Sequence, residues 1–340
     1  MRTGGDDIAE GLYLLGVKPV WQEDKGYLED LEVIPLEELG RPRIDVTFRT
    51  SGFFRDAFPN ILELLDRAVK MVAFLDELAE DNFVAKHVRE EIEEGSDRVY
   101  RVFSCKPGCY GAGVNQLIDS KDWQENSDLS QVYQKWGGYV YGEDIYGQAA
   151  EEVFARRLSQ LDIAIKNADT REYDIMDVDD FFSYQGGMVA AVEDLKGDKP
   201  VSYIGDSSNP GAVKTKTTAE EASFVFRSRI FNPKWIKAMQ EHGYKGASDI
   251  SRTVDLAFGW DATTGAIDDW IYEELASKFV FAKEMQDWLK SVNSQALRNI
   301  TERLLEAIQR GLWQPDEEIK EKLTAVYLQM EGQLEGFYDR

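Results

Sequence analysis

The sequence predicts an α/β N-terminal part followed by a mainly α-helical C-terminal part, with domains at 1–215 and 216–340. Three observations carry that prediction. A strand-then-helix unit is legible in RIDVTFRTSGFFRDAFPNILELLDRAVKMV. A second strand pattern feeds the glycine-rich loop KPGCYGAGV. From Thr218 onward apolar residues recur at helical rather than alternating spacing. At 340 residues the chain can bury a sizeable core and form two or more domains.

The first helix follows Asp6 or Asp7 as cap, with Ile8, Ala9, Leu12 and Leu15 on one face and Gly16 as its left-handed stop. VKPVW then reads as a short strand. Ile44, Val46 and Phe48 alternate as in a strand, Ser51-Gly52 open a loop, and Pro59 suits a first helical turn. The helix after it carries Ile61, Leu62, Leu65, Ala68, Val69 and Val72 as a buried stripe. A charged helix over 82–94 precedes the strand DRVYRVFS. The aromatic and glycine-rich stretch 123–147 reads as irregular or short β. Val153, Phe154, Leu158 and Leu161 mark another helix, running into the acidic stretch DTREYDIMDVDDFFSYQGGM. KPVSYIGDSSNPG reads as strand and loop. Asn232 and Pro233 start a helix that stops at Gly243, and further helices are predicted at 247–258, 267–276, 283–290, 295–310 and 316–335.

Composition excludes several functions. Lys and Arg number 39 against 63 Asp and Glu, a formal charge of −24 that repels nucleic acid and anionic lipid. No run of about 18 apolar residues is present to span a membrane. The start, MRTGGDDIAEGLYLLG, lacks the basic-then-apolar pattern of a signal peptide, and two cysteines in the whole chain suit a reducing compartment. These features predict a cytoplasmic protein.

The loop 103–114 raises the question of chemistry. Cys105 and Cys109 lack the paired CxxC spacing of a zinc knuckle or a redox motif, and the chain has only His87 and His242 as histidines. Small buried thiols near a turn are the plainer reading. Gly108, Gly111 and Gly113 suit positive φ or close backbone approach, or simply a turn. The arrangement is not GxGxxG, and no GxxxxGK[ST] phosphate loop occurs, which weighs against a nucleotide-binding enzyme. The acids Asp174, Asp177, Asp179 and Asp180 do not follow the EF-hand spacing, and a solvated helix cap explains them better than a cation site or proton relay does. His242, beside Gly243, suits a bond to the last carbonyls of its helix.

Several stretches in order and spacing resemble one family: TGGDDIAEGLYLLGVKPVW, PLEELGRPRIDVTFRTSGFFRDAFP, KPGCYGAGVNQLID, WGGYVYG, MDVDDFFSYQGGMVAAV, NPKWIKAMQEHGYKGA and RLLEAIQRGLW. Together they resemble the C-terminal part of the large subunit of class I metal chelatases, the CobN cobaltochelatase subunit and the magnesium chelatase H subunit. The resemblance covers essentially the whole chain. PGCYGAG and QGGM look closer to the cobalt branch. Because TGGDDIAE is an internal motif in that family, the chain reads as a C-terminal fragment of a longer subunit.

The resemblance implies insertion of Co2+ into hydrogenobyrinic acid a,c-diamide in cobalamin biosynthesis. ATP would be hydrolysed on a separate AAA+ ATPase that works with a companion subunit, in keeping with the missing phosphate loop. The fragment alone is expected to be inactive. The alternatives are a magnesium chelatase H-type subunit taking Mg2+ and protoporphyrin IX, or a non-catalytic docking module for the AAA+ partner. Under this reading Tyr110, Gly111, Gly113, Trp136 and Tyr139 are expected to line a macrocycle cleft. Arg49, Ser51 and Arg55, at a strand end, are expected to meet its polar rim. Asp177 and His242 are the candidate proton acceptors. The cysteines of the loop are expected to play no part, and no metal ligand is assigned.

Overall fold

The computed structural model describes residues 5–22, 28–96 and 98–334. Thr3 and Gly4 of the first motif, Asp97 at the head of the predicted strand, and Glu335 at the end of the last predicted helix lie outside the described residues. Two compact units are present. One comprises Met1–Leu117, Trp123–Asp162 and Ala191–Pro200; the other comprises Ile118–Asp122, Ile163–Ala190 and Val201–Arg340. The fold is a mixture of helices and small mixed sheets, and the change expected near 216 falls inside the second unit.

In the first unit α1 (Asp6–Leu15) stops at Gly16, whose φ of 77° is the left-handed cap the sequence predicts. β1 (Val17–Trp21) pairs antiparallel with β2 (Leu28–Val33), a strand not foreseen from the sequence. A short α2 (Leu36–Leu39) leads to β3 (Phe48–Arg49), only two residues long. The alternation at Ile44 and Val46 does not extend it, because the backbone there is bonded outside the sheet: Arg43 N–H donates to Asp81 in a turn and Ile44 N–H to Leu14 at the end of α1. Ile44 is accordingly exposed.

Ser51 begins no loop. Its hydroxyl accepts from Phe54 N–H at 3.1 Å and caps α3 (Gly52–Ala57). Pro59 then opens α4 (Pro59–Ala73), which buries Leu62, Leu65, Ala68, Val69 and Val72 as its spacing predicts. Each fully buried Leu or Val there contributes about 1.5–3 kcal/mol. Asn82 caps α5 (Phe83–Glu93) by accepting from Ala85 N–H at 2.9 Å. β4 (Val102–Ser104) runs parallel to β3, so the strand predicted from residue 97 is real only at its end. α6 (Val114–Ser120), which starts in this unit and ends in the other, and α7 (Asn126–Gly137) follow. Then come the hairpin β5 (Tyr139–Gly142) and β6 (Ile145–Ala149), and α8 (Glu151–Ser159). The sheet order β3-β4-β5-β6 places the 105–113 loop directly after a central strand. Trp136, expected in irregular chain, lies in α7.

A buried ion network locks this unit. Asp45 accepts from Arg101 Nε at 2.8 Å, Arg157 Nη2 at 2.7 Å and His87 Nδ1 at 2.8 Å. Glu91 meets the same two guanidiniums. Burial alone would raise the Asp45 carboxyl, but the His87 bond and both arginines overcome it and hold it well below the usual carboxylate range. No pattern in the sequence assigns His87 this role.

The second unit contains β7 (Ile163–Ala168), β8 (Val201–Asp206) and β9 (Lys214–Thr217), ordered β7-β8-β9. Between β7 and β8 runs α9 (Gly187–Lys196), which starts in this unit and ends in the first. β7 is hidden in the sequence because Leu161 reads as one more turn of α8, which stops at Ser159. Helices α10 (Thr218–Val225), α11 (Pro233–Glu241), α12 (Tyr244–Thr264), α13 (Asp269–Leu275), α14 (Lys283–Val292), α15 (Ser294–Gln309) and α16 (Glu317–Leu334) complete the unit. Asn232 caps α11 through a 3.0 Å bond from Lys234 N–H, as predicted. Three stretches, Phe182–Gly186, Phe226–Ile230 and Ala276–Phe281, take π-helical geometry. Among the described residues no helix is long and apolar enough to cross a membrane.

Candidate functional site

The loop between β4 and α6 is built around one arginine. Arg55, on α3, has a side chain with no solvent exposure. Its Nη1 donates to the carbonyls of Cys105 and Lys106, both at 2.9 Å, and to that of Cys109 at 3.4 Å. Its Nε and Nη2 grip Asp56 in bidentate fashion at 2.7 and 2.8 Å. Every face of the guanidinium is therefore engaged inside the protein. The expected contact of Arg55 with a ligand's rim is not what its position offers: the side chain is fully buried and ties the loop to α3.

Asp56 transmits that anchoring outward. Its Oδ2 accepts from the Tyr110 hydroxyl at 2.8 Å, and the Tyr146 hydroxyl lies 3.5 Å from Oδ1. The Arg55 guanidinium and then the Tyr110 hydroxyl hold the Asp56 carboxyl down to about 2. The same bond to Asp56 raises the Tyr110 phenol. Tyr110 is thus an exposed ring whose polar end is fixed. Tyr141 sits below it, donating to Cys105 O at 2.6 Å, and burial pushes its phenol up to about 12.

The cysteines are not idle. Cys105 is buried, its thiol donates to Cys109 O at 2.8 Å, and its sulfur lies 3.4 Å from Arg55 Nη1. It closes the turn from within, the buried thiol near a turn that the sequence predicts. Both thiols are free, and among the described residues no group of three His, Cys, Asp or Glu is arranged to hold a metal ion.

Glycines are required here for two separate reasons. Gly52 sits so near the loop that a Cβ would lie 2.4 Å from Cys109 O. Gly113 has φ +82°, and a Cβ there would lie 2.6 Å from Val132 Cγ1 and 2.8 Å from Trp136 Cδ1. Gly111 also has positive φ, +94°. Gly113→Ala is expected to destabilise by about 1–3 kcal/mol through its left-handed backbone alone. Chemical denaturation measures this, and a change under about 0.5 kcal/mol would mean that the loop relaxes freely, the range of an ordinary surface substitution.

The structure brings Ser51, Arg55, Tyr110, Gly111, Gly113 and Trp136 into one neighbourhood, with Trp136 supporting the glycines from α7. Arg49 is wedged against α7, its Cζ 5.7 Å from the Tyr133 ring centre. Tyr139 pairs opposite Ser104 in β5 and packs on the hydrophobic core. Asp177 and His242 belong to the other unit. There Asp177 accepts from Arg229 Nη1 at 3.1 Å and from Asp174 N–H at 2.6 Å. Arg229 comes from the π-helical stretch after α10 and also donates to Asp174 at 2.7 Å. Burial raises the Asp174 carboxyl. His242 caps α11 with its backbone N–H and stands exposed.

Asp56 lies in the SGFFRD run quoted above, where an acid next to arginine invites a bidentate clamp, and the structure shows that clamp. Tyr146 is picked out by no motif and carries no local signal.

The model of the CobN/Magnesium Chelatase family matches residues 1–320. The aerobic cobaltochelatase subunit CobN of Pseudomonas aeruginosa is 46% identical, over 97% of this chain and 27% of its own length. The H subunit of the Chlorobaculum parvum magnesium chelatase is 34% identical, over 100% of this chain and 27% of its own. The catalytic subunit of cobaltochelatase from Mycobacterium tuberculosis superposes with a TM-score of 0.95 at 50% identity, over 96% of this chain and 28% of that one. The chain thus spans just over a quarter of the length of these relatives.

Proposed function

Because the chain belongs to the CobN/magnesium chelatase family, we propose that it forms part of the tetrapyrrole-binding subunit of an ATP-dependent metal chelatase. Its substrates would be Co2+ and hydrogenobyrinic acid a,c-diamide, with ATP hydrolysed on an AAA+ partner that acts with a companion subunit. Identity of 46% to a cobaltochelatase subunit against 34% to a magnesium-chelatase one favours the cobalt branch.

One observation carries the reading: an exposed Tyr110 ring, pinned at its hydroxyl, on a glycine loop that a fully buried arginine holds in shape. A macrocycle presents a wide apolar face, and a ring already ordered by its hydroxyl bond binds that face at little ordering cost. Gly111 and Gly113 keep the neighbouring backbone low, while Ser51, Arg55 and Trp136 hold the loop from behind. Arg49 and Tyr139 contribute from the adjoining strands. Metal insertion also requires loss of two pyrrole protons. Asp177 and His242 are the candidate acceptors, His242 through an exposed ring and Asp177 after release from Arg229.

Titration of the purified chain with hydrogenobyrinic acid a,c-diamide, and separately with protoporphyrin IX, tests this. Absorbance and fluorescence are expected to show saturable binding of the first and not the second. Preference for protoporphyrin IX would move the chain to the magnesium branch. Binding of neither, with retention of the AAA+ partner in a pull-down, would leave only a docking role.

A further inference from the structure

We infer that Phe53 and Tyr146, together with Tyr110, form one aromatic rim that receives a flat conjugated macrocycle face-on, with Asp56 setting the pitch of the two tyrosine rings. This rests on the tetrapyrrole reading above and adds two contact residues, Phe53 from the SGFFRD motif and Tyr146, which no motif marks.

All three rings are exposed, 72% for Phe53, 56% for Tyr110 and 61% for Tyr146. They come from three different elements, α3, the 105–113 loop and β6, so no single amphipathic pattern accounts for all three. Asp56 is what joins them. It holds Tyr110 and Tyr146 by their hydroxyls, and Phe53 lies three residues before it on the same side of α3.

Tyr146 is fixed a second time. Its ring stands edge-on to Tyr141 at 5.1 Å and 88°, and Tyr141 is itself bonded to Cys105 O. The next residue, Gly147, has φ +71° and lies so close to Pro107 that a Cβ would sit 2.3 Å from its Cγ. The β5–β6 hairpin and the glycine loop are therefore packed as one surface. Exposed apolar area of this kind, held rigid rather than folded inward, marks a binding surface.

The chemistry of the occupant follows from what the rim offers. With both hydroxyls facing a carboxylate, a ligand meets ring faces and edges rather than polar tips. The exposed Asp56 carboxylate is offset by the Arg55 guanidinium buried directly beneath it, so the spot is less acidic than an unpaired carboxylate on this −24 chain. A ligand with a broad conjugated face suits the rings, with its peripheral carboxylates directed away from Asp56.

The test compares Phe53→Ala, Tyr146→Ala and Tyr13→Ala for binding of hydrogenobyrinic acid a,c-diamide and of protoporphyrin IX. Tyr13 is also exposed, at 55%, but lies on α1. Phe53→Ala and Tyr146→Ala are each expected to weaken binding about fivefold to tenfold, the range of one lost aromatic contact, with Tyr13→Ala unchanged. Asp56→Asn is expected to weaken binding and to lower the Tyr110 phenol titration seen by ultraviolet difference spectra without ligand. If the unsubstituted chain binds and both rim variants match it, the rim is no part of the site and belongs to a protein interface, while the tetrapyrrole reading stands. If Tyr13→Ala weakens binding equally, adsorption is nonspecific and the rim is overturned. If the unsubstituted chain binds neither ligand, both readings fall.

Discussion

Arg55→Ala is expected to lower the unfolding free energy by about 2–4 kcal/mol, chiefly from loop carbonyls left without a donor, since the Asp56 it frees reaches solvent. The alanine leaves the carbonyls of Cys105, Lys106 and Cys109 without their shared donor and frees Asp56 from its bidentate partner. An unmade bond to a buried carbonyl is itself expensive. The loop should lose its shape together with its stability, so tetrapyrrole binding falls as well. Arg55→Lys should not rescue it, because an ammonium cannot meet the carboxylate and the loop carbonyls at once. Urea denaturation and the binding titration measure the two effects. A lysine variant close to the parent in both would show that charge alone, and not the planar fork, anchors the loop.

Asp45→Ala is the other large effect, about 3–5 kcal/mol. It would leave Arg101 and Arg157 buried with Glu91 as their remaining carboxylate. Burial pulls both guanidiniums down; attraction to Asp45 and Glu91 reverses this for Arg101 but not for Arg157. Both stay protonated at any pH where the protein folds. The sign of the acid dependence follows from the depressed carboxyls. A carboxylate whose folded pKa lies below its unfolded value adds stability that is complete above about pH 4 and lost as pH falls through the folded value. For Asp56 that window runs from 3.8 to about 2; for Asp45 it reaches lower. The urea midpoint of the parent should therefore drop below about pH 4, with a shallower drop in Asp45→Asn. Equal slopes in the two proteins would remove Asp45 from the account.

Much of the local structure is legible without any knowledge of the fold. Gly16, Asn82, Asn232 and Pro59 act where they stand because a cap or a first turn needs only neighbours within four residues. The stripe on α4 is equally plain, since 3.6-residue spacing is a property of one helix. Strands are harder. β3 is cut to two residues because its length depends on where β4 pairs, not on its own alternation. β7 is hidden because Leu161 fits helical spacing although α8 has already ended.

The sequence by itself determined the family, the helical spans with their caps, and the glycine loop as the place to look. Each of these is written in residues close together in the chain. Only the tertiary structure decided what the loop's residues do. It turned Arg55 from a presumed ligand contact into a buried anchor, gave Cys105 a place in the turn, and set Tyr146 beside Tyr110 across 36 positions of sequence. The physical reason is common to all three. A guanidinium satisfies carbonyls in whatever direction the fold presents them, and which carbonyls lie within about 3 Å of it is settled by packing, not by spacing along the chain.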